Sequence, residues 1–125
     1  MANRSLQLWL PFGVWVLAIF GVSSLRDLGT APVGAPGLDK LFHTGEYAVL
    51  GFLFARATSR RWSGWRAIGS TLLLGLVLGS LDELYQSTVP GRAVDVFDVC
   101  ADVIGATCGA LLWNWTRARR GSRLT

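Results

Sequence analysis

From Ser5 to Leu25 the chain carries no charged residue and has Leu, Val, Ile, Trp and Phe throughout, long enough to cross a hydrocarbon core about 30 Å thick as one helix. Few folds accept such a segment. Of the 125 residues, 51% are hydrophobic and only 16% are charged, against about 25% charged in soluble domains. Length and composition together describe one lipid-embedded domain spanning residues 1–125. A secretory signal peptide fits poorly, because the apolar stretch is too long for an h-region, the A-x-A pattern is missing and further apolar segments follow. Two cysteines, Cys100 and Cys108, cannot form a disulfide framework, which excludes a secreted disulfide scaffold; a zinc ribbon and a dinucleotide fold are excluded as well.

Three more spans are expected, and each is harder to see. The uncharged runs Tyr47 to Ala55, Ala67 to Leu81 and Val103 to Thr116 all fall short of the roughly 20 residues a spanning helix needs. They reach that length as Leu38 to Ala57, Ala67 to Gln86 and Val96 to Thr116, and these extensions hold the acids. The predicted fold is therefore all-α, a four-transmembrane-helix bundle with helices at about 5–25, 38–57, 67–86 and 96–116. Outer loops cover 26–37 and 87–95, a cytoplasmic loop 58–66 and a basic tail 117–125. The Gly- and Pro-rich stretch between Ser23 and Gly37 reads as an irregular cap over the outer ends.

Orientation follows from the basic residues. Arg4, the Arg56 to Arg66 cluster and the tail arginines lie on one side; Arg26, Lys40 and Arg92 lie on the other with all the acids. The positive-inside rule places both termini and the middle loop in the cytoplasm. The net charge of +4 is then a topology and lipid-surface signal, and nucleic acid is not an expected partner. Trp62, Trp65, Trp113 and Trp115 read as interfacial anchors.

Ionisable groups within spans are costly and usually line a cavity. On the second helix Asp39, His43, Glu46 and Tyr47 share a face, so His43 and Glu46 are expected to address one point. On the third, Gly75, Gly79, Asp82, Glu83 and Gln86 share a face; on the fourth, Asp98, Asp102, Gly105 and Gly109 do. The two Gly-x-x-x-Gly stretches are close-packing motifs that bring helix backbones together. Pro90-Gly91 forms a turn that holds Arg92 over the outer mouth, where a guanidinium can bind phosphate bidentately or neutralise Asp95 or Asp98. Asp39 and Asp98 also suit helix N-termini.

His43, Glu46, Asp82 and Glu83 are the candidate catalytic residues, since capping does not explain acids a turn or more inside a span. Asp39, Lys40, Tyr47, Gln86, Arg92, Asp98 and Asp102 are the candidate ligand-binding residues. Three uses fit the first set: general acid and base chemistry, a divalent metal held by His and Glu at i and i+3, or a buried network that fixes helix register. No other cofactor is expected. A nucleophile in a Ser-His-Asp arrangement or a Cys beside His43 is absent from the sequence.

The segments LDKLFHTGEYAVLGFLFARA and LDELYQSTVPGRAVDVFDVCADVIGATCGALL, with Ser23-Ser24 closing the first span, resemble the VanZ-like family of small bacterial membrane proteins. The resemblance rests on D-K-x-x-H-x-x-x-Y, D-E-x-x-Q, P-G-R and D-x-x-x-D in that order. It implies family motif positions at Asp39, Lys40, His43, Glu46, Tyr47, Asp82, Glu83, Gln86, Arg92, Asp98 and Asp102; many relatives have Asn where this chain has Asp102. The founding member accompanies glycopeptide-resistance genes and gives low-level teicoplanin resistance, so the resemblance implies an effect on glycopeptide susceptibility. Together the readings lead to an outward-facing polar pocket that binds an anionic cell-envelope lipid or lipid-linked precursor, with Arg92 and Lys40 on phosphate. The alternative is an intramembrane acid-base or metal-assisted enzyme acting on such a lipid. A channel or carrier would require a homo-oligomer, because four short helices leave little room for a pore.

Overall fold

The computed structural model describes residues 3–25 and 37–122. Most of the cap expected between Ser23 and Gly37, with Arg26, and the tail end with Arg123 lie outside the described residues. The described residues form four helices, α1 (Arg4–Ser23), α2 (Leu38–Thr58), α3 (Trp65–Gln86) and α4 (Val96–Gly121), joined at 59–64 and 87–95 by non-helical connections. Three of them, α1, α3 and α4, are long and apolar enough to cross a membrane. The α2 helix matches them in length, but Asp39, Lys40, His43 and Glu46 make its first half polar.

Local chemistry accounts for the helix ends. The Asn3 side chain accepts the Ser5 N–H to start α1, and the Asp95 side chain accepts the Phe97 N–H to start α4. Gly37 and Gly64 precede α2 and α3 with φ of 90° and 58°, a left-handed entry that glycine takes without strain. One boundary differs from expectation: α4 does not stop at Thr116 but runs to Gly121, taking in arginines assigned to a tail. Arg119 lies over the Trp115 ring at 4.1 Å, and Arg117 donates to the Ser59 carbonyl at 2.9 Å, so both are held on the helix. Basic groups in a last turn also suit the helix dipole.

The interior is inverted relative to a soluble bundle. Large apolar side chains such as Leu17, Leu41, Phe42, Leu73, Val96 and Phe97 face outward, whereas Asp82, Glu83, Gln86, Asp98 and Asp102 are buried. Apart from Ile19, Tyr47 and Leu50, the buried hydrophobic positions are alanines. Small residues inside and large apolar ones outside suit lipid surroundings, where packing rather than water exclusion joins helices.

The most intimate contact joins α2 to α4, which run parallel. Lys40 meets Asp98 at one end of the pair and Arg117 meets Ser59 near the other. A side chain at Gly105 would collide with the Thr44 backbone, at Gly109 with Ala48, and at Gly51 with Ala106. Gly75 and Gly79 instead face α4 at Ala106 and Asp102. The two glycine motifs therefore do not pair with each other: the one on α3 admits α4, and the one on α4 admits α2. Trp15 of α1 donates its indole N–H to the Glu46 carbonyl at 2.9 Å, and Phe12 and Trp9 pack on Phe54. Trp113, read as an interfacial anchor, packs edge-on against Phe52 of α2 with its N–H buried.

Candidate functional site

Where α1 and α3 end and α2 and α4 begin, the 87–95 connection closes over a cavity of about 460 Å³. Its walls combine apolar Val22 and Phe42 with Ser23, Asp39, His43, Glu46, Gln86, Arg92, Asp95 and Asp98. All the acids of the described residues, Asp39, Glu46, Asp82, Glu83, Asp95, Asp98 and Asp102, lie at this end of the bundle.

Lys40 gives its ammonium to Asp39 at 2.9 Å, to Asp95 at 2.6 Å and to Asp98. Its three N–H donors are thereby used, so the side chain pins α4 and the 87–95 connection to α2. That changes the role expected for it, since a phosphate would have to displace one of three carboxylates. The ammonium beside Asp95 holds that carboxyl below the usual carboxylate range.

Asp82 and Glu83 are adjacent on α3 and diverge. Glu83 accepts the backbone N–H of Asp95 and so fastens the 87–95 connection to α3. Asp82 accepts from the Gln86 amide at 3.1 Å, one turn along the same helix. Gln86 also reaches the Ser23 hydroxyl of α1 at 3.4 Å and accepts from the Arg92 guanidinium. Arg92 makes no ion pair among the described residues, and its buried Nε has no partner. The expectation that Arg92 neutralises Asp95 or Asp98 therefore gives way, because Lys40 holds both acids.

His43 points its Nδ1 at Asp102 Oδ1, 2.9 Å away, and its Nε2 stands 3.8 Å from Asp98. It was expected to share a point with Glu46. The two are near neighbours on α2, yet the imidazole turns to α4, and the Glu46 carboxylate makes no hydrogen bond among the described residues. Glu46 lines both the main cavity and a shallower one beside Trp15, Leu41 and Val49. Ligand atoms of His43, Asp82 and Asp102, from three different helices, lie within 4.8 Å of one another. Tyr47, expected to bind ligand, is fully buried beneath this group, and its hydroxyl has no partner among the described residues. Asp98 is not the cap of α4; Asp95 is, and Asp98 is buried facing Lys40.

Sequence reasoning left three contributors off the candidate site. Ser23 is 4% exposed and bonds Gln86, and its signal was a hydroxyl at the end of an otherwise apolar span. Asp95 carries two jobs, cap and Lys40 partner, and its place just before α4 is a usual N-cap signature. Trp15 bonds a helical carbonyl, which no local pattern announces.

Outward-facing apolar side chains, three apolar helices and a buried polar cluster at one end define an all-helical membrane protein with a polar cavity. A family model described as VanZ/LLP1 matches residues 2–117, nearly the whole chain, and the chain belongs to that family. No curated protein and no solved structure matches it.

Proposed function

We propose that this VanZ-like membrane protein holds the phosphorylated headgroup of a cell-envelope lipid or lipid-linked precursor in the cavity under the 87–95 connection. One observation carries the reading: Arg92 lines the cavity with no carboxylate partner among the described residues, whereas Lys40 is saturated by three. An unpaired guanidinium beside a cavity is a bidentate phosphate ligand in waiting. Asp39, Glu46 and Asp98 on the walls would accept from hydroxyl or amino groups of the same headgroup. Phe42, exposed at the rim, would meet the first carbons of the lipid tail.

In this reading α2 is a fourth span whose polar half lines the cavity, and the cavity opens at the outer face of the bacterial cytoplasmic membrane. Arg4, Arg56, Arg60, Arg61, Arg66 and the arginines closing α4 then face the cytoplasm with both termini. Any effect on teicoplanin susceptibility would follow from the altered envelope surface. In native mass spectrometry, Arg92→Ala should lose co-purifying polyprenyl-phosphate lipid while Lys40→Ala keeps a larger share. Equal retention by wild type and Arg92→Ala would remove the assignment.

A second reading is favoured by the pairing of His43 with buried Asp102. A carboxylate that orients an imidazole prepares it as a general base, which would make the protein an intramembrane enzyme acting on the same lipid. Incubation with a polyprenyl diphosphate should then release phosphate with wild type and not with Asp102→Asn. No release by either would leave binding as the function.

A further inference from the structure

We propose that His43, Asp82 and Asp102 bind one divalent transition-metal cation at the floor of the cavity. The three residues come from α2, α3 and α4, and their ligand atoms already lie within 4.8 Å of one another. Adjacent ligands of a six-coordinate ion with bonds of about 2.1 Å stand about 3 Å apart. The His43 Nδ1 to Asp102 Oδ1 separation of 2.9 Å has that spacing, so only Asp82 has to close in. An ion at this imidazole nitrogen displaces the proton shared with Asp102.

Two observations outside the cluster's own hydrogen bonds point to a ligand. Asp82 is 1% exposed, and its Oδ1 accepts no hydrogen bond among the described residues. Tyr47 is 0% exposed, and its hydroxyl has no partner among them either. A buried carboxylate oxygen without a donor is costly, and a cation satisfies it directly. Charge argues the same way. Among the described residues, seven acids at this end of the bundle face only Lys40 and Arg92, and Lys40 is spent on the outer three. Two carboxylates and a neutral imidazole balance a dication.

The donor set selects the class of ion. One nitrogen and two carboxylate oxygens suit the Mn²⁺ to Zn²⁺ series, whereas Mg²⁺ and Ca²⁺ take all-oxygen shells. Asp39, Asp95 and Asp98 also stand within ion-binding reach of one another, but the Lys40 ammonium occupies their centre.

The site does not depend on a bound lipid, and its test contains none. The full chain, purified without a polyhistidine tag and stripped with chelator in detergent, is titrated with Mn²⁺ and followed by electron paramagnetic resonance. The chain has one histidine, so a ¹⁴N imidazole coupling in the pulsed spectrum of the wild type identifies His43 without any substitution. The expected result is one Mn²⁺ per chain with that coupling, at least tenfold weaker binding in Asp102→Asn, and unchanged binding in Asp95→Asn. Substoichiometric binding, a spectrum without the nitrogen coupling, or affinity lost in Asp95→Asn but kept in Asp102→Asn would overturn the site. Each of these negative results leaves the lipid reading of Arg92 standing.

Discussion

Lys40 and Arg92 are the two cations at the cavity end among the described residues, and their neighbours give them opposite work. Lys40 closes three carboxylates into one cluster, so Lys40→Ala leaves Asp98, with a side chain 11% exposed, facing Asp39 and Asp95 uncompensated. The expected loss is about 1.5–3 kcal/mol, the usual worth of hydrogen bonds to charged groups, and Asp98→Asn in the same chain should restore part of it. Thermal unfolding in detergent measures both, and an unchanged midpoint in Lys40→Ala would mean the cluster pins nothing. Asp95 supplies a pH dependence with a definite sign. Its carboxyl titrates lower in the folded protein than in the unfolded chain, so its contribution is fully present above about pH 4 and fades as acid protonates it. Asp95→Asn should flatten the melting-temperature profile on the acid side of that value; a profile as steep as wild type would assign the loss to other acids. The residue types of this cluster were visible in the sequence. Which acid each cation takes was not, because Lys40 lies 55 and 58 residues from Asp95 and Asp98 and is joined to them only across helices.

At the scale of the element, small residues decide how near two helices come. Gly105 and Gly109 let the α2 backbone lie against α4, and Gly51 returns the contact. Alanine at Gly109 puts a methyl into the Ala48 carbonyl, a backbone atom that cannot turn away. Overpacking usually costs about 1–3 kcal/mol, and collision with backbone belongs at or beyond the upper end. Gly45 and Gly13 have open space beside them, so their alanine variants should be neutral or slightly stabilising. Size-exclusion and melting profiles of Gly109→Ala and Gly45→Ala separate the cases, and equal behaviour would show that α2 and α4 are not held this closely. Gly79→Ala is intermediate: its methyl would stand 2.7 Å from Asp102 Oδ2, a side-chain atom that can shift. It should fold but lose Mn²⁺ affinity, which the same titration reads. The Gly-x-x-x-Gly spacing was legible along the chain. The partner of each glycine face was not, since a period gives the face and not the helix opposite.

For the molecule as a whole, the charge asymmetry makes a topological prediction. In intact cells, a cysteine at Thr88 in the 87–95 connection should react with a membrane-impermeant thiol reagent, and one at Ser63 between α2 and α3 should not. Both are made in a Cys100→Ala, Cys108→Ala background. Labelling of Ser63→Cys alone would invert the protein and put the cavity on the cytoplasmic side. The extended α4 adds to the same asymmetry, because Arg117, Arg119 and Arg120 project from an ordered helix end close to Arg56, Arg60 and Arg61.

Hydropathy and residue spacing, which are local properties, determined the four helices, the polar half of α2 and the gathering of the acids at one end. Each follows from a run or a period a few residues long, and the bilayer thickness supplies the length scale. Only the tertiary structure decided the pairings. It set α2 parallel to α4, turned His43 toward Asp102 rather than Glu46, sent Glu83 to the Asp95 backbone and left Arg92 without an acid among the described residues. The physical reason is that side-chain partners across helices depend on the rotation and depth of each helix against its neighbours. Those are set by where glycine and alanine let backbones approach, a property of two surfaces together and of neither sequence segment alone.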